Sequence, residues 1–258
     1  MKKLIAALTA LMLMAAGTAA LGEGDRLEQI RANGKITIAT EGTWRPWTYH
    51  DENDVLTGFD IEIGTLIAEG LGVEADFQEW PWESILVGVE TGNFDIACNG
   101  VGYTPERAEK FAFSIPYAYT TAVLVVRKEN EEIQSLEDLK GKTTSNSPNS
   151  TYAMKAESLG ATVEYVDTLG ETMMMVLDGR VDATINAKGS VEDYLKEHPE
   201  AEIRIAQEFA GEPVCYPIHM GEDALLQEIN RILEELHESG KLSELSVKYF
   251  GEDLTKAQ

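Results

Sequence analysis

The run Asn99-Gly100-Val101-Gly102-Tyr103-Thr104-Pro105-Glu106-Arg107 brings two glycines, a Thr-Pro pair and a guanidinium together. The glycines expose backbone amides, Thr104 has the chemistry of a helix N-cap, and Pro105 suits the first helical position. Arg107 then falls in the first turn of that helix, where a cation works against the helix dipole and gains from an anionic partner. A guanidinium fork beside free amides matches a carboxylate bidentately. The alternative is a surface arginine paired with Glu106 or Glu109. A second polar run, Ser145-Asn146-Ser147-Pro148-Asn149-Ser150-Thr151-Tyr152, precedes a helical segment at 153–158. It reads either as a polar-group site at a helix N-terminus or as a plain cap. The tryptophans Trp44, Trp47, Trp80 and Trp82 fall in two loop-like stretches, as aromatics walling a cleft do, with one or two of them expected in the core.

Motifs for bond-making are missing. His50, His198, His219 and His237 show no ligand-like spacing, there is no HExxH and no G-x-S-x-G, and Gly100-Val101-Gly102 lacks the third glycine of a dinucleotide fingerprint. The expectation is binding without catalysis, with no cofactor and no metal. Lys plus Arg number 21 against 45 Asp plus Glu, a formal charge of −24, which repels a phosphate backbone, so no nucleic-acid partner is expected. Residues 1–20, MKKLIAALTALMLMAAGTAA, join a basic start to an apolar core and a small-residue end, the pattern of a secretory signal peptide. An exported, periplasmic or extracytoplasmic protein follows. Cys98 and Cys215 permit one disulfide in that compartment, or remain as two buried thiols.

Alternating strands and helices must position these groups. Residues 34–40 alternate as a strand, 59–71 have helical spacing, 73–80 read as a strand, 82–91 as a helix stopped by Gly92, and 94–98 as a third strand. That order predicts an α/β sheet with crossovers. Gly92-Asn93-Phe94-Asp95-Ile96-Ala97-Cys98-Asn99-Gly100 aligns without a gap on Gly179-Arg180-Val181-Asp182-Ala183-Thr184-Ile185-Asn186-Ala187, each copy after an apolar helical segment. Two similar lobes account for it. Met173-Met174-Met175, inside the second copy's helix, reads as core filling. The β-branched run at 121–127 (TAVLVVR) is expected to cross between lobes, and 213–218 to cross back. Ser135 and Asp138 have capping-box spacing, and Leu225, Ile229, Ile232, Leu233 and Leu236 stripe a C-terminal helix.

The segments Glu41-Gly42-Thr43-Trp44-Arg45-Pro46-Trp47-Thr48-Tyr49, Leu56-Thr57-Gly58-Phe59-Asp60-Ile61-Glu62-Ile63, Gly100 to Arg107 and Phe113-Ser114-Ile115-Pro116-Tyr117, in that order, resemble the extracytoplasmic solute-binding proteins of polar amino-acid ABC importers, most of all the cystine-binding branch. The resemblance implies a periplasmic-binding-protein-like α/β fold, two lobes joined by two crossing strands. Lobe 1 would comprise 26–124 and 216–258, and lobe 2 residues 125–215. It implies that Arg107 takes a ligand carboxylate, that the backbone at Gly100 and Gly102 holds the amino or carboxylate group, and that Trp44 and Trp82 flank the side chain. Asn149, Ser150 and Thr151 would close over the carboxylate, with Asn99 and Asn186 at matching ends of the two repeats and Glu41 contacting the ligand. Ala187 stands where amino-acid binders of this family usually carry an Asp facing the ligand ammonium, so either Glu41 serves that cation, or the tryptophans hold an alkylated ammonium by cation–π contact, or the ligand lacks the amine. The expected partners are a small zwitterion or carboxylate and an ABC permease in the membrane, and the protein is expected to be a monomer. The same fold resembles exported cyclohexadienyl dehydratases, in which Glu41 would be the general acid.

Overall fold

A computed structural model describes residues 25–256; the signal peptide assigned to residues 1–20 lies outside them. Two five-stranded sheets carry the fold. In space the first runs Glu74–Glu79, Lys35–Thr40, Ile96–Ala97, Pro217–His219, Phe111–Phe113. Its first three strands are parallel, and Pro217–His219 runs antiparallel to both its neighbours. The second runs Thr162–Tyr165, Thr143–Asn146, Ala183–Ala187, Ala118–Arg127, Ile203–Val214. A small three-stranded sheet, Thr43–Trp44, Thr48–His50 and Leu56–Thr57, stands beside the first.

The internal repeat is structural. Each copy is a helix (Trp82–Glu90, Leu169–Leu177), a left-handed glycine (Gly92 φ 73, Gly179 φ 70) and a strand. Its aspartate does the same work twice. Asp95 accepts from the Thr37 amide at 2.7 Å and Asp182 from the Thr143 amide at 2.8 Å, while their own amides donate back to the carbonyls of Thr37 and Thr143. Each pair locks a repeat strand to the strand beside it.

The run at 121–127 does not cross between lobes. It is the body of Ala118–Arg127, a strand interior to the second sheet, and its side chains divide between two cores. Ala122, Leu124 and Val126 face one and Val123 and Val125 the other. A continuous apolar run is what a strand buried on both faces requires. The first change of sheet falls upstream, between Phe111–Phe113 and Ala118–Arg127, and the second between Ile203–Val214 and Pro217–His219. The boundary read at 124/125 therefore divides a single strand. Tyr117 and Tyr216, one on each crossing, stack at 4.2 Å and 6° in the core of the first sheet, with Ile36, Ile38 and Ile96.

Helix Asp223–Glu238 buries Leu225, Ile229, Ile232 and Leu233 in the same core, packed against helices Phe59–Leu71 and Lys241–Phe250. The Ser135 capping box forms, on the short 3₁₀ turn Leu136–Leu139. Cys98 and Cys215 are both free and buried, so the disulfide is not made.

Candidate functional site

Strand ends from both sheets open onto one cleft. On the first side, Lys35–Thr40 delivers Glu41 and Ile96–Ala97 delivers Asn99, Gly100 and Gly102. Asn99 braces Glu41 twice: its Oδ1 accepts from the Glu41 amide at 2.8 Å and its Nδ2 donates to the Glu41 carboxylate at 2.6 Å. Gly100 needs its φ of 57 and its missing Cβ, which would stand 2.6 Å from the Trp44 ring. Its N–H is committed to the fully buried Asp60, which also accepts from the Tyr117 hydroxyl at 2.7 Å. The Gly100 amide is thus a fixed part of the wall, and not the ligand donor that the family pattern implies. Trp44 and Trp82 line the cleft; Trp47 is core, stacked on Trp44 at 5.5 Å, and Trp80 is exposed.

Thr104 caps the four-residue helix Pro105–Ala108, its hydroxyl accepting from the Arg107 amide at 3.1 Å. That cap fixes where the Arg107 side chain leaves the backbone. Arg107 as a residue is only 7% exposed. Nη1 donates to the Gly102 carbonyl at 2.8 Å and Nη2 to the Asn149 carbonyl at 2.9 Å, across the cleft. It pairs with neither Glu106 nor Glu109, and burial draws its pKa down to about 10. The Trp82 ring lies 5.5 Å from its Cζ.

On the second side, Ser150 caps helix Thr151–Ser158, its Oγ accepting from the Ala153 amide at 3.1 Å. Asn146, Ser147, Ser150, Thr151 and Tyr152 line the cleft, and Asn186 joins them from the repeat strand. Two expected residues do not: Asn149 offers only its carbonyl to Arg107, and Ala187 is buried at the start of helix Lys188–Glu197. Sequence reading missed Asp167, Thr168 and Thr172, at the head of helix Leu169–Leu177, and Glu212 with Thr120 and Val214 on the two second-sheet strands that adjoin the crossings. Thr168 and Glu171 form a capping box whose spacing was legible. Glu212 had no local signal.

Among the described residues lining the cleft, Arg107 is the one cation, against Glu41, Asp167 and Glu212. Burial pushes the Glu41 carboxyl up to about 7; the Asn99 hydrogen bond opposes this, and Asp167 adds to it. Asn146 Oδ1 and Trp82 Nε1, both from cleft-lining residues, are buried without a protein partner. Among the described residues, no group of three His, Cys, Asp or Glu could hold a metal, and no helix is long and apolar enough to cross a membrane.

An interlobe cleft carrying one buried cation and aromatic walls defines a binding protein of the two-lobed periplasmic type. The chain belongs to the bacterial extracellular solute-binding proteins, family 3, whose pattern matches residues 36–252. It is 40% identical over 237 residues to the L-cystine-binding protein TcyA of Bacillus subtilis, covering 91% of this chain and 88% of that one. An ancestral arginine-binding protein bound to arginine superposes with a TM-score of 0.79 at 34% identity, over 84% of this chain and 99% of that one. The unliganded, open L-cystine receptor of Neisseria gonorrhoeae, at 35% identity, superposes with only 0.60, over 90% and 99%. At 34% against 35% identity the liganded neighbour fits better, in keeping with a closed cleft here and with the Arg107–Asn149 bond across it.

Proposed function

We propose that this protein captures a free amino acid or a closely related zwitterion between its lobes and hands it to an ABC permease, acting as an exported monomer without catalysis. The observation that carries the reading is Arg107: a buried guanidinium satisfied on one edge by two neutral carbonyls, with no carboxylate paired to it. Such a cation calls for an anion. Glu41 and Asp167 supply the complementary negative charge for the ligand's ammonium, replacing the acid that Ala187 does not provide. Lobe 1 then comprises residues 25–117 and 215–256, and lobe 2 residues 118–214. Ligand contacts from both lobes favour the closed form, which is the physical content of capture by closure. Dianionic amino acids are disfavoured by three carboxylates against one guanidinium.

The test is calorimetry with L-cystine, L-arginine and L-glutamine and with their methyl esters. Binding of a free acid with loss of at least tenfold in its ester is expected; equal binding of acid and ester overturns the carboxylate assignment. One observation favours an enzyme instead: a carboxyl in the cleft held near neutrality is poised as a general acid. Prephenate or arogenate turned into an aromatic product would establish that reading, and no turnover is expected.

A further inference from the structure

Asn149 and Asp54 are the two non-glycine residues with positive φ among those described, and Asn149, at φ 58, stands in the turn that leads into helix Thr151–Ser158. Its side chain is exposed and does not line the cleft, so its contribution comes from the backbone. The left-handed conformation turns its carbonyl toward Arg107, whose Nη2 donates to it at 2.9 Å from the opposite lobe. The two turns approach closely: a Cβ on Gly102 would meet Thr151 Cγ2 at 3.4 Å and Glu212 Cβ at 3.0 Å. Gly102 and Asn149 thus hold the guanidinium from two sides of the cleft with one carbonyl each. Three further N–H donors remain on the fork.

We propose that Asn149 is a positioning residue, whose left-handed backbone hands a carbonyl from one lobe to the anion-binding guanidinium of the other, so that Arg107 couples carboxylate capture to lobe closure. This rests on the reading that Arg107 holds the ligand carboxylate. With the lobes apart, the Asn149 acceptor is withdrawn and the fork is free to swing. With the lobes together, two carbonyls fix its plane and leave its other donors for the carboxylate. Asparagine tolerates this φ, glycine adopts it freely, and a β-branched residue is expelled from it.

Asn149→Gly and Asn149→Val separate backbone from side chain. L-cystine, L-arginine and L-glutamine are titrated into the wild type, and the tightest of them is the probe for stopped-flow tryptophan fluorescence. Asn149→Gly stays within threefold of wild-type affinity, whereas Asn149→Val weakens at least tenfold, through faster dissociation at an unchanged association rate. Asn149→Val within threefold of wild type overturns the proposal, as does an equal loss in Asn149→Gly. Arg107→Ala keeps the two layers apart. If it binds the probe as wild type does, the carboxylate reading falls and this proposal with it; if it loses tenfold while Asn149→Val does not, only the coupling falls. A ligand-free measurement uses spin labels at the exposed positions 87 and 174, one on a helix of each lobe. Asn149→Val shifts their distance distribution outward relative to Asn149→Gly, and identical distributions refute the coupling.

Discussion

Glu41 makes ligand affinity depend on pH, and the sign can be worked out. In the closed cleft without ligand its carboxyl is held up to about 7, chiefly by burial. A ligand ammonium set against it stabilises the carboxylate, so binding expels a proton wherever Glu41 is protonated beforehand. If the cation returns the group to its ordinary value near 4.5, affinity rises by roughly seventyfold between about pH 5 and pH 8, or about 2.5 kcal/mol, and levels off above about pH 7. Stability of the ligand-free protein moves the other way. The folded state binds the proton more tightly than the unfolded chain, so the group costs stability as pH rises from about 4.5 toward 7, up to about 3 kcal/mol. Calorimetry in buffers of different ionisation heat reads both the affinity and the released proton. Asp60 is raised into the same range by burial, yet it is spent on the Gly100 amide and the Tyr117 hydroxyl. Glu41→Gln separates the two: it flattens the profile of affinity and raises the midpoint of the ligand-free protein at pH 8. A wild-type affinity that is flat with pH, or falls as pH rises, refutes the placement of a cation at Glu41.

Arg107→Ala removes the buried cation and leaves the carboxylate unpaired, a loss of about 2–5 kcal/mol in affinity, and near-wild-type binding in calorimetry excludes the anchor role. Two thiols titrate after denaturation without reductant and neither in the native protein, because Cys98 and Cys215 are buried and burial pushes the Cys215 thiol up to about 12; fewer than two in the denatured chain contradicts the free pair. Ligand compacts the particle in small-angle scattering while circular dichroism stays constant, since the motion is confined to two short crossings; an unchanged radius counts against closure. Ala187→Asp caps helix Lys188–Glu197, which has no side-chain cap and holds the unpartnered Ser190 hydroxyl in its first turn. A gain of about 0.5–2 kcal/mol in stability is expected with affinity kept or improved, and a fall in the thermal midpoint refutes it.

The parts of this site legible in the sequence are those whose geometry is local. Thr104 and Pro105 announce a helix start, and a helix start three residues long leaves little choice about where Arg107 emerges. Ser150 and the Thr168–Glu171 pair are caps of the same kind. The repeat was legible because its aspartates act on the adjacent strand, by the same hydrogen bonds in both halves. What failed were readings that needed partners far along the chain. The run at 121–127 looked like a connector because its apolar character has no period, but absence of period is what two cores, one on each face, impose. Glu212 enters the cleft only because the long strand Ile203–Val214 lies antiparallel beside Ala118–Arg127, a register fixed by pairs some ninety residues apart, such as Phe209 with Ala122.

Asn149 shows why the line between local and distant matters for function. A polar residue before a helix is read from sequence as a ligand contact or a cap, and here Ser150 is the cap. Asn149 is neither; its contribution is a backbone oxygen, invisible to residue type and aimed by a φ that only tertiary structure specifies. The oxygen meets a guanidinium whose other carbonyl comes from Gly102, in a loop strapped to the second crossing by the Tyr103 amide on the Pro213 carbonyl and the Cys215 amide on the Val101 carbonyl. Anion site, opposite lobe and hinge therefore share one hydrogen-bonded path through the main chain. Substitutions that preserve backbone conformation along it should be tolerated whatever their side chains, and substitutions that change it should impair closure even where they touch no ligand.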